Sequence, residues 1–192
     1  MYRTKTCGEL NIKNVGEVVE LAGWIQKIRN LGGMIFIDLR DEFGITQIVV
    51  SADNKEKLEN VVSECVIQVV GTVVERSNKN TKILTGEIEV EAQEIEILGK
   101  CKNVLPFEVN SEKTGEVKED LRLEYRFLDL RNDKLHKTIL LRSEVMKTIR
   151  KKMDELGFTE IQTPILANSS PEGARDYLVP SRIHKGEFYA LP

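Results

Sequence analysis

Residues 34–40 alternate. Ile35, Ile37 and Leu39 form one set, and Met34, Phe36, Asp38 and Arg40 the other. A period of two puts the sets on opposite faces of a strand, so Phe36 shares a polar face with Asp38 and Arg40. An aromatic ring on such a face is a platform on which an unpaired base can stack. Packing under a loop or a neighbouring domain is the other reading. Arg29 lies just before the turn Leu31-Gly32-Gly33 and can meet a phosphate or a base edge. Gln47, in the next apolar run, carries an amide that can read a Watson–Crick edge. Trp24 reads as a core residue. The polar stretch 75–86 holds Arg76, Asn78, Lys79, Asn80 and Lys82. It suits a loop that grips an oligonucleotide, and equally a solvated hairpin.

Further along, Glu172 can bind an ammonium group and Arg175 a phosphate or carboxylate, although such loops are common. His184 has no evident partner. The sequence contains no GxxxxGK[ST], HExxH or GxSxG pattern, so it offers nothing for nucleophilic or metal chemistry. Cys7, Cys65 and Cys101 are odd in number and widely spaced, which argues against a disulfide framework and for a reducing compartment. The net charge of −3 excludes a globally basic coat, and residues 1–105 hold more acidic than basic side chains. Nucleic acid would therefore have to bind at a focused site. No apolar run reaches membrane-spanning length, and the first residues lack a signal-peptide core.

The elements that must position these residues fall into two blocks. In residues 1–102, Val19, Leu21, Gly23 and Ile25 begin a strand, 34–40 and 45–50 supply two more, 66–74 a fourth, and 87–91 with 95–98 the last. Between the third and fourth, Leu58, Val61, Val62 and Cys65 lie at helical spacing. Three strands, a helix and two strands fit a five-stranded OB barrel; an SH3-like barrel or a small sandwich fits short strands too. Residues 103–132 read as a joint, with an apolar stretch at 121–130 that docks on something. From Asp133, Leu141, Val145, Ile149, Met153 and Leu156 mark one helix face, closed by Gly157. Residues 158–166 read as a strand interrupted at Pro164, which belongs at an edge or an interface. The second block is too small to make a sizeable core alone.

Whole stretches then become familiar. CGELN near the start, Gly23-Trp24, IFIDLRDEFGITQIVV at 35–50, TGEIEV at 85–90, YRFLDLR at 125–131 and above all SPEGARDYLVPSRIHKGEFYALP at 170–192 closely resemble the bacterial-type aspartyl-tRNA synthetases. The resemblance covers nearly the whole chain. The last stretch is the most specific, because related lysyl and asparaginyl enzymes differ there.

This resemblance implies a class II synthetase: an OB-fold anticodon-binding domain at 1–105, a hinge at 106–132, and at 133–192 the start of an α+β catalytic domain. Phe36 matches the residue that stacks on the central anticodon uridine, and Gln47 the one that hydrogen-bonds it. Arg29, Asn80 and Glu89 match further anticodon contacts, although the loop bearing Asn80 is shorter here than in the family pattern. Glu172 matches the carboxylate that meets the substrate's ammonium, within a mobile loop of Ser170, Pro171, Gly173, Ala174 and Arg175. Pro164 ends motif 1, at the homodimer interface. No catalytic residue and no metal ligand carries over. Motifs 2 and 3 have no counterpart in these residues, which implies an N-terminal portion of a longer enzyme, inactive alone.

The implied activity is ATP-dependent aspartate activation and transfer to tRNA, in the cytoplasm. ATP and magnesium are expected as substrates of the full enzyme, and neither on this chain alone. The expected partners are the tRNA anticodon stem-loop and a second copy of the enzyme, not membrane or DNA. Leu31 and Lys79 are of the type that separates aspartate from asparagine tRNA. A stand-alone OB module binding tRNA or single-stranded RNA is the second reading, and a dimerisation piece whose barrel merely packs is the third.

Overall fold

The computed structural model describes residues 2–31, 33–102, 104–110, 117–168 and 176–191. The chain forms two units, Met1–Asp129 and Leu130–Pro192.

In the first unit, alternating burial builds a closed barrel. β1 (Val18–Leu31), β2 (Met34–Arg40), β3 (Ile45–Val50), β4 (Val66–Glu75) and β5 (Ile88–Gly99) close in the order β1-β2-β3-β5-β4. All pairings are antiparallel except β3 with β5. This is the OB arrangement, which rules out the SH3-like and sandwich readings. Leu21, Ile25, Ile37, Leu39, Ile48, Ile67, Val69 and Val90 are among the residues filling the interior.

β1 pairs with β4 through its first half and with β2 through its second, and a bulge separates Ile25 from Lys27. Glycines allow the closest approaches. A Cβ at Gly23 would lie 2.3 Å from Arg40 O, and one at Gly71 would lie 2.3 Å from Glu91 O. Asp41 ties the N-terminal segment to the β2–β3 turn. Its Oδ1 accepts from the Phe43 and Gly44 amides, and its Oδ2 accepts from the Cys7 amide and from Arg3. Cys7 is fully buried; burial, then the nearby Asp41 charge, pushes its thiol far above the ordinary range, which leaves it unreactive.

Two expected elements differ. The helix expected over 54–65 is instead a 3₁₀ helix at Ala52–Leu58. Asn60 and Glu64 have φ of 62° and 66°, left-handed values that stop a helix. Leu58 and Cys65 do bury, so the spacing recorded burial and not helix length. The two short apolar runs after residue 87 form one strand, β5, carried past an irregularity between Gly71↔Ala92 and Val70↔Glu94.

Beyond the barrel, α1 (Glu119–Glu124) and α2 (Arg126–Asp129) follow. Leu128 packs with Phe107 and Val109, joined by Leu121 and Tyr125. Asp129 is fully buried, where Arg122 and Arg126 reach its carboxylate at 2.8 and 2.7 Å. The apolar stretch at 121–130 therefore docks on 105–109.

In the second unit, α3 (Asp133–Glu155) is capped by Asn132, whose side chain accepts from the Lys134 and Leu135 amides. Gly157 follows with φ 82°. None of the residues of α3 is buried, and Leu141, Val145, Ile149, Met153 and Leu156 are exposed. β6 (Tyr177–Pro180) pairs antiparallel with β7 (Phe188–Leu191). The strand expected at 158–166 is absent: that segment is exposed and only Ala167 bridges to Ala190. A ladder needs a partner, and this segment has none among the described residues. No described helix is long and apolar enough to cross a membrane.

Because a Cβ at Gly71 would strike the Glu91 backbone first and the buried Val90 side chain next, Gly71→Ala is expected to destabilise the barrel by about 1–3 kcal/mol. Urea unfolding of the two proteins measures this; equal midpoints would show that β5 can give way there.

Candidate nucleic-acid interface

The face that the core leaves outside carries the polar residues. Arg29 comes from β1, Phe36 and Asp38 from β2, Gln47 from β3 and Glu89 from β5; Arg76 directly follows β4. Arg29 stands opposite Phe36, and Asp38 opposite Gln47. Directly opposed residues point to the same face, so one outer surface collects them all. Phe36 is half-buried, and its other neighbour, Val49, is buried yet lies outside the interior cluster.

One hydrogen-bond network joins the polar members. Arg29 Nη2 donates to Asp38 Oδ1, and to Gln47 Oε1 at 3.2 Å. Arg76 Nη2 donates to the same Gln47 oxygen at 2.9 Å. Gln47 Nε2 donates to Glu89 Oε2 at 2.7 Å, and Arg76 Nε lies 3.9 Å from that oxygen. Both acceptor directions of the Gln47 amide are thus filled by guanidinium groups, and one amide hydrogen by a carboxylate. The amide is held in a single orientation with its second hydrogen left over. Arg29 Nε is buried without a partner. The network therefore offers donors to whatever docks on it. Burial pushes the Asp38 carboxyl above the usual carboxylate range, against the opposing pull of Arg29, Lys27 and Arg76.

The structure brings Arg29, Phe36, Gln47 and Glu89 together. Asn80 stands apart on the loop between β4 and β5. Its amide donates to Gly86 O at 2.9 Å and its Oδ1 accepts from the Lys82 amide at 3.0 Å. A Cβ on Gly86 would meet Asn80 O at 1.7 Å, so Asn80 pinches the neck of the loop. Lys79 on that loop pairs with Glu75 at 2.9 Å and Glu87 at 3.7 Å, and Leu31 is exposed at the end of β1.

Sequence reasoning overlooked two members of the network. Asp38 was visible in the alternation as a residue on the Phe36 face. Arg76 was visible only as one of several polar loop residues. Trp24 is not in the core: it is half-buried on the outer face, with the Arg40 guanidinium 6.0 Å from its ring. Pro164 lies in the exposed segment without strand pairing. Ser170, Pro171, Glu172, Gly173, Ala174 and Arg175 fall outside the described residues. Among the described residues, no group of three or more His, Cys, Asp or Glu is placed to hold a metal ion.

Comparison with known proteins agrees with this geometry. Residues 19–98 match the family of OB-fold nucleic acid binding domains, and residues 118–192 match the class II tRNA synthetases (D, K and N). The aspartate–tRNA(Asp/Asn) ligase of Chlamydia abortus is 52% identical over the whole chain, and the aspartate–tRNA ligase of Streptomyces avermitilis is 53% identical. The chain spans about a third of the length of these curated relatives (33% of each). Among solved structures, asparaginyl-tRNA synthetase from Pyrococcus horikoshii complexed with asparaginyl-adenylate superposes with a TM-score of 0.81 at 25% identity. That match covers 100% of this chain and 43% of the other. A putative aspartyl-tRNA synthetase from Leishmania major superposes at 0.79 with 21% identity, covering 94% of this chain and 36% of that one; at that identity it speaks for the fold alone. The chain is thus similar along its whole length to an N-terminal portion of the aspartate–tRNA ligases, its first part matching an OB-fold nucleic acid binding family and its second the class II tRNA synthetases.

Proposed function

We propose that this chain binds the anticodon stem-loop of tRNA on the outer face of its barrel. In the complete enzyme, that binding would serve ATP-dependent activation of aspartate and its transfer to the tRNA. The observation that carries the reading is the ordered donor network around Gln47 beside the half-buried ring of Phe36. In this reading Phe36 stacks on the central anticodon base and the spare Gln47 N–H meets an acceptor on that base. Arg29 and Glu89 flank it, and Asn80 shapes the loop that closes over a neighbouring base.

The remaining assignments rest on the family likeness. Residues 1–105 are the anticodon-binding domain, 106–132 the hinge and 133–192 the start of the catalytic domain. Glu172 would hold the aspartate ammonium within the loop that includes Ser170 and Arg175, and Pro164 would lie at a homodimer interface. Synthetases of this family use ATP with magnesium; this chain alone is expected to bind neither and to give no aspartate-dependent exchange of pyrophosphate into ATP. The cytoplasm is the compartment in which such an enzyme works.

Phe36→Ala is expected to weaken binding of a synthetic anticodon hairpin tenfold or more, since stacking contributes about 1–3 kcal/mol per base. Unchanged affinity with the barrel intact would remove Phe36 from the site. Changing the central base of the hairpin should cost the parent chain affinity and leave Phe36→Ala less affected; a parent indifferent to that base would favour a barrel that merely packs.

Asp38 supplies a test of the site's electrostatics. Its folded-state pKa is raised above the ordinary 3.8, so the folded chain holds that proton more tightly than the unfolded chain. The stability it contributes is full below pH 3.8 and is lost as pH rises through the raised value. Asp38→Asn cannot ionise, so its urea midpoint should gain on the parent's between pH 3.5 and 7 (about neutral). A gap that narrows over that range would mean that Arg29, and not burial, dominates at Asp38.

A further inference from the structure

The outer face continues past the Gln47 network. Two residues beyond Asp38 on β2, Arg40 is only 4% exposed. Its Nη2 donates to Glu64 Oε1 at 2.8 Å and Oε2 at 3.1 Å. On the neighbouring β1, where Trp24 stands opposite Arg40, Gln26 is the extra residue of the bulge between Ile25 and Lys27. Bulges re-aim side chains and recur beside functional sites. Arg40 and Gln26 line one cavity of about 440 Å³ with Lys27, Glu64, Glu108 and Asn110.

Two polar atoms of these lining residues, Arg40 Nη1 and Gln26 Oε1, are buried and have no hydrogen-bond partner. One is a donor and the other an acceptor. Buried polar groups left unpaired are costly, so the cavity suits an occupant that accepts and donates at once. Arg40 and Lys27 balance Glu64 and Glu108, so a phosphate finds no net attraction there and a neutral polar group does. The volume also far exceeds the ~30 Å³ share of one water.

We propose that this cavity is a second RNA subsite, which takes the donor–acceptor group of a nucleotide a few positions along the strand from the one stacked on Phe36. The proposal rests on the anticodon-binding reading of the barrel. Lys27, in the cavity lining, stands directly opposite Asp38, the partner of Arg29, so the two sites share one surface. Phe36 and Arg40 are four residues apart on one strand, or about 13 Å at the usual rise. About four stacked nucleotides, or fewer extended ones, cover that distance. A ribose 2′-hydroxyl and the amide edge of a base both donate and accept.

The test titrates a synthetic anticodon hairpin against the full 192-residue chain and against Gln26→Met. Methionine keeps the length of the side chain and removes the unpartnered carbonyl. The thermal midpoint is expected to hold or rise while affinity falls about three- to tenfold. A lower midpoint with unchanged affinity makes Gln26 structural and overturns the proposal. If both fall, a hairpin scan on the two proteins decides. Loop nucleotides are made abasic or 2′-deoxy one at a time, and at one position the effect of Gln26→Met should vanish. An abasic position identifies the base as the docked group, and a 2′-deoxy position the ribose. If no position abolishes the effect, the cavity holds water only and the proposal fails. If Phe36→Ala weakens binding and Gln26→Met does not, the anticodon reading stands and the subsite falls. If the parent chain does not bind at all, both fall.

Discussion

Closure of the barrel depends on β1 serving two neighbours. A strand of fourteen residues (Val18–Leu31) pairs first with β4 and then with β2, and it can do so only by bending. The irregularity between Ile25 and Lys27 provides the bend. Gly23 and Gly71 provide the close approaches that the bend demands, each lacking the Cβ that would strike a neighbouring carbonyl. Once the barrel is closed, its interior is filled mostly by aliphatic side chains; Thr46 is buried with its hydroxyl on Cys7 O, and the charged residues of the strands find their partners outside. The candidate site follows from that requirement. Asp38, Gln47 and Glu89 are anchored on rigid strands, and they order the two arginines that lean over them.

The same closure explains why the outer face is preorganised. Loop-borne arginines sample many rotamers, and ordering them at the moment of binding is costly. Arg29 and Arg76 instead converge on one amide oxygen. Gln47 is in turn fixed by Glu89. The raised pKa of Asp38 records the cost of placing a carboxylate there. Barrel stability is thus exchanged for a defined donor array, as is common at functional sites.

The parts of this arrangement legible in the sequence were those with a period. Alternation at residues 34–40 placed Phe36, Asp38 and Arg40 on one face, and the structure has them there. The four-residue spacing from Leu141 to Met153 marked α3. Aperiodic features were not legible. Asn60 and Glu64 turn the chain by left-handed φ values, and neither residue type announces that. Arg76 looked like any loop cation until β5 brought Glu89 beside it. Arg40 looked solvent-facing because alternation reports only the barrel interior, whereas Glu64 covers it from a connection outside the strand pattern. The segment 158–166 has strand-like composition, and composition cannot say whether a pairing partner is present.

Charge decides what such a face can do. The Gln47 network holds Arg29 and Arg76 against Asp38 and Glu89, so its formal charge cancels. A cancelled site draws little counterion release and gains little from phosphate attraction. Its advantage is discrimination. A base whose acceptors meet the second Gln47 hydrogen and Arg29 Nε satisfies donors that the network leaves over, Arg29 Nε being buried without a partner. A base that presents donors there leaves them unpaired, at about 1–3 kcal/mol per group. In the proposed reading, an acidic barrel selects an RNA loop through a few fixed hydrogen bonds and not by attracting RNA in bulk.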